Sequence, residues 1–268
     1  MDVAIIFFLL CLVLGSIVGI FAGLLGIGGG LIIVPAFLFM AQHLLNIDIE
    51  HAMPMAIATS LSTVIFTGLS SARTHLKLGN IDTYIVTYCA LGIAVGAILG
   101  AFFATKISGV LLQRIFAGLV IVIALQMIFG RNKVSSSTLG KPSLGLIGLG
   151  TGFISALMGI GGGALLVPIL VWFQINIKKA IGCAALCGVV VASFGSVSFI
   201  YSGFNKEYLP DYSLGYVYLP ATFGIAITSM ITARIGAKLT AKLDTKKLKR
   251  IFAVFLVLVS IRMIIGLE

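Results

Sequence analysis

The sequence predicts an all-α polytopic integral membrane protein made of two inverted-topology repeats with glycine-interrupted short helices. Three observations predict it: an apolar composition, a series of apolar runs of membrane length, and a glycine-rich motif that occurs twice. Of 268 residues, 60% are hydrophobic before the 32 glycines are counted, and only 10% are charged; soluble domains carry about 25% charge. A chain of this length cannot hide that much apolar surface from water in one core, which excludes a soluble enzyme. Its 18 Phe and 7 Tyr exclude an intrinsically disordered chain.

About 20 apolar residues cross a bilayer. Full-length spans are read at 3–25, 53–72, 81–104, 111–129, 181–202, 214–237 and 246–266. The first is a retained helix, because Asp2 stands where a secretory signal carries basic residues and the apolar run outlasts a signal. Residues 31–41 and 164–173, each behind a glycine cluster, are expected as half-length helices of about 16 and 15 Å. The 143–158 run is marginal. A polar stretch at 131–142 is the expected linker between a first repeat at 1–130 and a second at 143–268.

The repeat is explicit. Gly19, then Gly26-Ile27-Gly28-Gly29-Gly30-Leu31-Ile32-Ile33-Val34-Pro35, returns as Gly152, then Gly159-Ile160-Gly161-Gly162-Gly163-Ala164-Leu165-Leu166-Val167-Pro168. Arg114-Ile115-Phe116-Ala117 returns as Arg250-Ile251-Phe252-Ala253. Lys and Arg concentrate in cytoplasmic loops. Inverted copies put 14 basic residues on one side (loops 73–80, 130–142, 174–180 and 234–250) and 3 on the other, whereas parallel copies give 11 and 6. Inversion is therefore expected, with both termini outside the cytoplasm. The net charge of +10 reads as this topogenic signal and as contact with lipid head groups, not as a nucleic-acid surface.

A glycine cluster before a short helix leaves backbone N–H groups uncovered at the positive end of the helix dipole, where an anion is favoured. Irregular backbone survives at membrane depth only against protein or a wet cavity, so paired clusters in two repeats point to a transport site near the midplane. Gly28, Gly29, Gly30 and Leu31, with Gly161, Gly162, Gly163 and Ala164, are the candidate substrate-binding residues, and a Cβ at Gly29 or Gly162 is expected to obstruct an anion. The spaced ladders Gly15, Gly19, Gly23 and Gly92, Gly96, Gly100 read instead as helix packing. Gly159-x-Gly161-x-x-Ala164 matches a loose dinucleotide fingerprint but lacks a βαβ unit and a downstream acidic residue.

Thr59, Ser60 and Thr63 are the second candidate group, within a hydroxyl-rich stretch that continues to Thr67, Ser70 and Ser71. Such hydroxyls donate to an anion without adding charge, or equally bond to a carbonyl one turn back. Arg73, His75 and Lys77 follow as a topology signal or a basic funnel, and Arg262 as a snorkelling cation or a substrate contact. His43 and His51 flank a polar loop. The four cysteines lie in apolar runs without CxxC spacing, so neither a metal nor a cofactor is expected. No hydrolase or metalloprotease motif names a catalytic group, so the protein is not expected to be an enzyme.

The doubled glycine motif with its following proline, the Ala58-Thr59-Ser60-Leu61 block and the Ser70-Ser71-Ala72-Arg73 exit resemble the sulfite exporter TauE/SafE family of bacterial inner-membrane permeases, over essentially the whole chain. The resemblance implies a multi-pass inner-membrane transporter of small anions, often sulfur oxyanions or organosulfonates such as sulfite and sulfoacetate. It also implies that the glycine motifs and Thr59-Ser60 line the path. Cys183-Ala184 stand where a second Thr-Ser pair is expected. Export by alternating access is the expected function, with an anion channel or a non-transporting scaffold or assembly factor as alternatives. The expected partners are a small anionic substrate and the lipid bilayer, with a homodimer left open.

Overall fold

A computed structural model describes residues 3–25, 29–129, 140–206, 208–240 and 245–265. The chain folds into helices α1 (Val3–Leu25), α2 (Gly30–Leu44), α3 (Ile49–Lys77), α4 (Thr83–Ala104) and α5 (Gly109–Phe129). A second set of five follows, again with its second helix shortest and its third longest: α6 (Lys141–Met158), α7 (Gly163–Trp172), α8 (Ile177–Gly203), α9 (Leu219–Thr240) and α10 (Thr245–Ile265). Between α8 and α9 lies a small antiparallel hairpin, β1 (Ser213–Leu214) and β2 (Val217–Tyr218), with Leu214 opposite Val217. Among the described residues α1, α3, α4, α5 and α8 are long and apolar enough to cross a membrane.

Two sequence expectations are corrected. The short helix expected over 31–41 is the 15-residue α2, about 22 Å long, because the helix continues through Gln42 and His43. Residues 214–218, expected to open a span, form the hairpin instead. Most of the expected 131–142 linker lies outside the described residues, as does Gly28, while Lys141 and Pro142 already belong to α6. Proline suits that first turn, where its missing N–H has no helical partner to lose.

Local chemistry sets the other ends. Asp82 caps α4 by accepting from the N–H groups of Tyr84 and Ile85 at 3.1 and 3.4 Å, and Asn176 caps α8 through Lys178 N–H at 2.9 Å. The Glu50 carboxylate of α3 accepts from Gly109 N–H at 2.7 Å, so an acid meets the positive end of α5. α6 stops at Gly159, whose φ of 65° is a left-handed conformation open to glycine at little cost.

The repeats interlock rather than stand apart. α1 packs along α9 and α6 along α4, both parallel pairs with backbones in close approach. Gly15 faces Ile225 and Thr228, and Gly19 faces Ser229 and Thr232; Gly92 meets Gly145 and Leu149, and Gly100 meets Phe153. At Gly15, Gly19, Gly92, Gly96 and Gly100 the ladders therefore act as packing seams, as their spacing predicts, whereas Gly23 borders open space. Equivalent helices pair with each other in opposite directions. In α3 and α8, Leu61 lies by Gly195 while Gly68 lies by Val189, and at the start of α5 Gln113 donates to the carbonyl of Met263 near the end of α10. Large apolar side chains such as Leu9, Val13, Ile17, Leu91, Val95 and Phe102 point outward, a surface suited to hydrocarbon rather than water.

Candidate functional site

The glycine clusters of the two repeats meet inside the bundle. Gly30, at the start of α2, approaches so closely that a Cβ there would collide with the carbonyl of Gly159 and lie 2.9 Å from Ile160 Cα. Gly30 and Leu31 are buried behind this contact. In the second copy the N–H groups of Gly161, Gly162, Gly163 and Ala164 find no acceptor among the described residues, while Gly162 O accepts from Leu166 N–H at 2.8 Å. Four uncovered donors thus cluster at the positive end of α7.

An added Cβ acts differently at each glycine. At Gly29 it would strike Val18, and at Gly161 it would come within 2.8 Å of Val64. At Gly162 a Cβ would find its nearest protein neighbours, Gly188 and Val191, at an ordinary contact distance of 3.8 Å. Neither Gly29 nor Gly162 has a positive φ. Gly188 is the glycine that sequence reading missed. A Cβ on it would stand 3.3 Å from the nitrogen of Gly162, over one of the free donors. A lone glycine in an apolar helix gives no local signal of such a role.

The hydroxyl-rich stretch of α3 divides into two parts. Thr59, Ser60 and Thr63 are buried and committed: Thr59 Oγ1 accepts from Tyr218 N–H at 3.0 Å, Ser60 donates to Gly159 O at 2.7 Å, and Thr63 donates to Ser60 O at 2.7 Å. The first two bonds tie α3 to the hairpin and to the second glycine cluster. Farther along, Thr67 makes only long contacts of 3.4 Å, and Ser70 and Ser71 have free hydroxyls among the described residues. This second part faces a cavity.

The cavity, about 640 Å³, lies between α1, α3, α8 and α9. Val64, Gly161, Gly163 and Gly188 form its inner end; Thr67, Ser70 and Ser71 line one wall. Thr74, His75 and Arg234 stand at its mouth, next to Arg73 and Lys77. Of the residues nominated from sequence, Gly161 and Gly163 line this space. Gly162 and Ala164 adjoin it, Gly29, Gly30 and Leu31 lie behind it, and Thr59, Ser60 and Thr63 lie beyond its inner end. Arg262 is not among the lining residues and stacks over Phe39, 4.8 Å from the ring centroid.

On the opposite side of Thr59 the bundle is densely packed. Tyr218 of β2 meets the Phe7 ring edge-to-face at 5.1 Å and Phe37 at 6.2 Å, and all three side chains are buried. One face of the molecule is therefore open to the glycine cluster and the other is filled by aromatic rings. Among the described residues the cavity lining includes no Asp or Glu, and Arg234 is its one permanent cation.

Comparison with known proteins places the chain. The family model described as sulfite exporter TauE/SafE matches residues 11–263. A probable membrane transporter protein of Haemophilus influenzae is 40% identical over 259 residues, covering 96% of this chain and 98% of the relative. Probable membrane transporter proteins of Methanocaldococcus jannaschii and Bacillus subtilis (YunE) are each 28% identical, over 90% and 96% of this chain and 89% and 97% of their own lengths. No solved structure matches.

Proposed function

Because the chain belongs to the sulfite exporter TauE/SafE family and is a multi-pass membrane transporter, we propose that it exports small anions from the cytoplasm across the inner membrane. The substrates are sulfur oxyanions or organosulfonates, such as sulfite or sulfoacetate, and the mechanism is alternating access between two inverted repeats. The observation that carries this reading is the cavity ending on Gly161 and Gly163, within the run of free N–H groups at 161–164, with hydroxyls on its wall and, among the described residues, no carboxylate in its lining. Backbone donors and hydroxyls hold an anion without a buried cation that would need to be desolvated and released in every cycle.

In this reading, the substrate enters past His75 and Arg234, exchanges water for Thr67, Ser70 and Ser71, and comes to rest against the start of α7. Gly29, Gly30 and Leu31 back the site from the first copy. Thr59, Ser60 and Thr63 hold its frame, since Ser60 fixes the carbonyl of Gly159 just before the donors. Antiparallel pairing of α3 with α8 supports inversion, as does the 14-to-3 division of basic residues. An anion leaving a negative-inside cell gains about 2.3 kcal/mol per charge per 100 mV, so export needs no buried proton relay.

Purified protein is screened by thermal shift against sulfite, sulfate, thiosulfate and sulfoacetate, and then tested for counterflow in proteoliposomes. Saturable, anion-selective stabilisation and exchange are expected. Stabilisation by none of these anions, together with no exchange, would remove the reading.

A further inference from the structure

Beside the mouth of the cavity lies a second groove, of about 350 Å³, between α3 and α9. Arg73 and Lys77 of α3 and Arg234 of α9 converge on it, and no acidic side chain pairs with any of them among the described residues. Ser70 and Thr74 add hydroxyls beside the three cations. One turn deeper the groove is walled by Phe66 and Leu69, both exposed on the outer surface of the bundle. These α3 residues recur at helical spacing on one face, so the groove runs from apolar to cationic along the helix.

A small soluble ion satisfies only the cationic end and leaves the exposed surfaces of Phe66, which touches Phe223, and of Leu69 uncovered. An occupant with hydrocarbon at one end and negative charge at the other satisfies both, and it reaches the groove sideways from the bilayer. We infer that the α3–α9 groove binds one anionic phospholipid, its phosphodiester held by Arg73, Lys77 and Arg234 and its acyl chain laid on Phe66 and Leu69. Basic pockets between membrane helices on the cytoplasmic side recognise anionic head groups in this way. A zwitterionic lipid brings its own cation and gains less from three uncompensated positive charges. Because α3 and α9 belong to different repeats, the lipid bridges the two copies next to the cavity mouth.

The full chain, purified in detergent, is titrated with palmitoyl-oleoyl phosphatidylglycerol or the matching phosphatidylcholine, and bound lipid is counted by native mass spectrometry. One phosphatidylglycerol is expected to bind about tenfold or more tightly than phosphatidylcholine. Arg73→Gln combined with Lys77→Gln brings the preference to within about twofold, with the melting midpoint in phosphatidylcholine nanodiscs unchanged. Arg73→Lys combined with Lys77→Arg retains the preference. Leu69→Gln, which alters the apolar end alone, weakens phosphatidylglycerol without changing any binding of inorganic phosphate. Equal retention of both lipids, an undiminished preference in the Gln double variant, or displacement of the lipid by millimolar inorganic phosphate would overturn the assignment. The last of these results would make the cluster a soluble-anion site.

Discussion

Thr59 and Ser71 are both hydroxyl residues on α3, yet their partners give them different work. The Thr59 hydroxyl is the acceptor for Tyr218 N–H in a fully buried setting. Thr59→Val leaves that donor unmatched, at a cost of about 1–3 kcal/mol. A lowered melting midpoint in the ligand-free protein is the expected result, and an unchanged midpoint would contradict this bond. Ser71 and Thr67 face the cavity, where a hydrogen bond to a charged ligand is worth about 1.5–3 kcal/mol. Thr67→Val and Ser71→Ala should each weaken the stabilising anion about tenfold while leaving ligand-free stability near normal, as read from titrated thermal shifts. Gly188→Ala belongs with these two, since its methyl group would cover Gly162 N–H. Its anion affinity should fall by a similar factor, and retained affinity would move the site away from the start of α7.

At the scale of helices, stability rests on parallel seams where glycine lets two backbones touch. Gly96 packs against Leu149 and Phe153, and a Cβ there would collide with the Leu149 carbonyl. Overpacking of a tight interface costs about 1–3 kcal/mol even when neighbours adjust, and here the neighbour is backbone. Gly96→Ile should therefore reduce the monodisperse fraction recovered by size-exclusion chromatography. Gly118→Ala and Gly145→Ala are the controls: an added Cβ at either finds no neighbour within 4 Å. In a helix interior alanine is favoured over glycine by about 0.5–1 kcal/mol, so both variants should match or exceed the parent. Equal loss in all three variants would show that glycine content, rather than these seams, matters.

For the whole molecule, the antiparallel pairing of α3 with α8 and α5 with α10 predicts that equivalent loops emerge on opposite sides of the membrane. Cysteine at Asn80 and at Lys206 tests this directly, because Cys11, Cys89, Cys183 and Cys187 are all buried and should react slowly with an impermeant reagent. Asn80→Cys is expected to react only from the cytoplasm and Lys206→Cys only from outside. Labelling of both from one side would end the inverted arrangement.

The membrane class, the family and the helix seams were legible in the chain. Each is set by composition, by local motif or by spacing along one helix, and such signals survive without knowledge of what lies opposite. The division of labour within Thr59–Ser71 was not legible, because the hydroxyls recur at one helical period whether they meet a carbonyl, a hairpin or a cavity. Gly188 and Arg234 were invisible as site residues for the same reason, since their roles depend on α7 and α3, distant in sequence. The hairpin at 213–218 was hidden inside an apolar run, where Val217 and Tyr218 read equally as helix or as buried strand. Spacing reports which face a residue shares, but whether that face opens to water or closes on backbone depends on how the two interlocked copies approach each other.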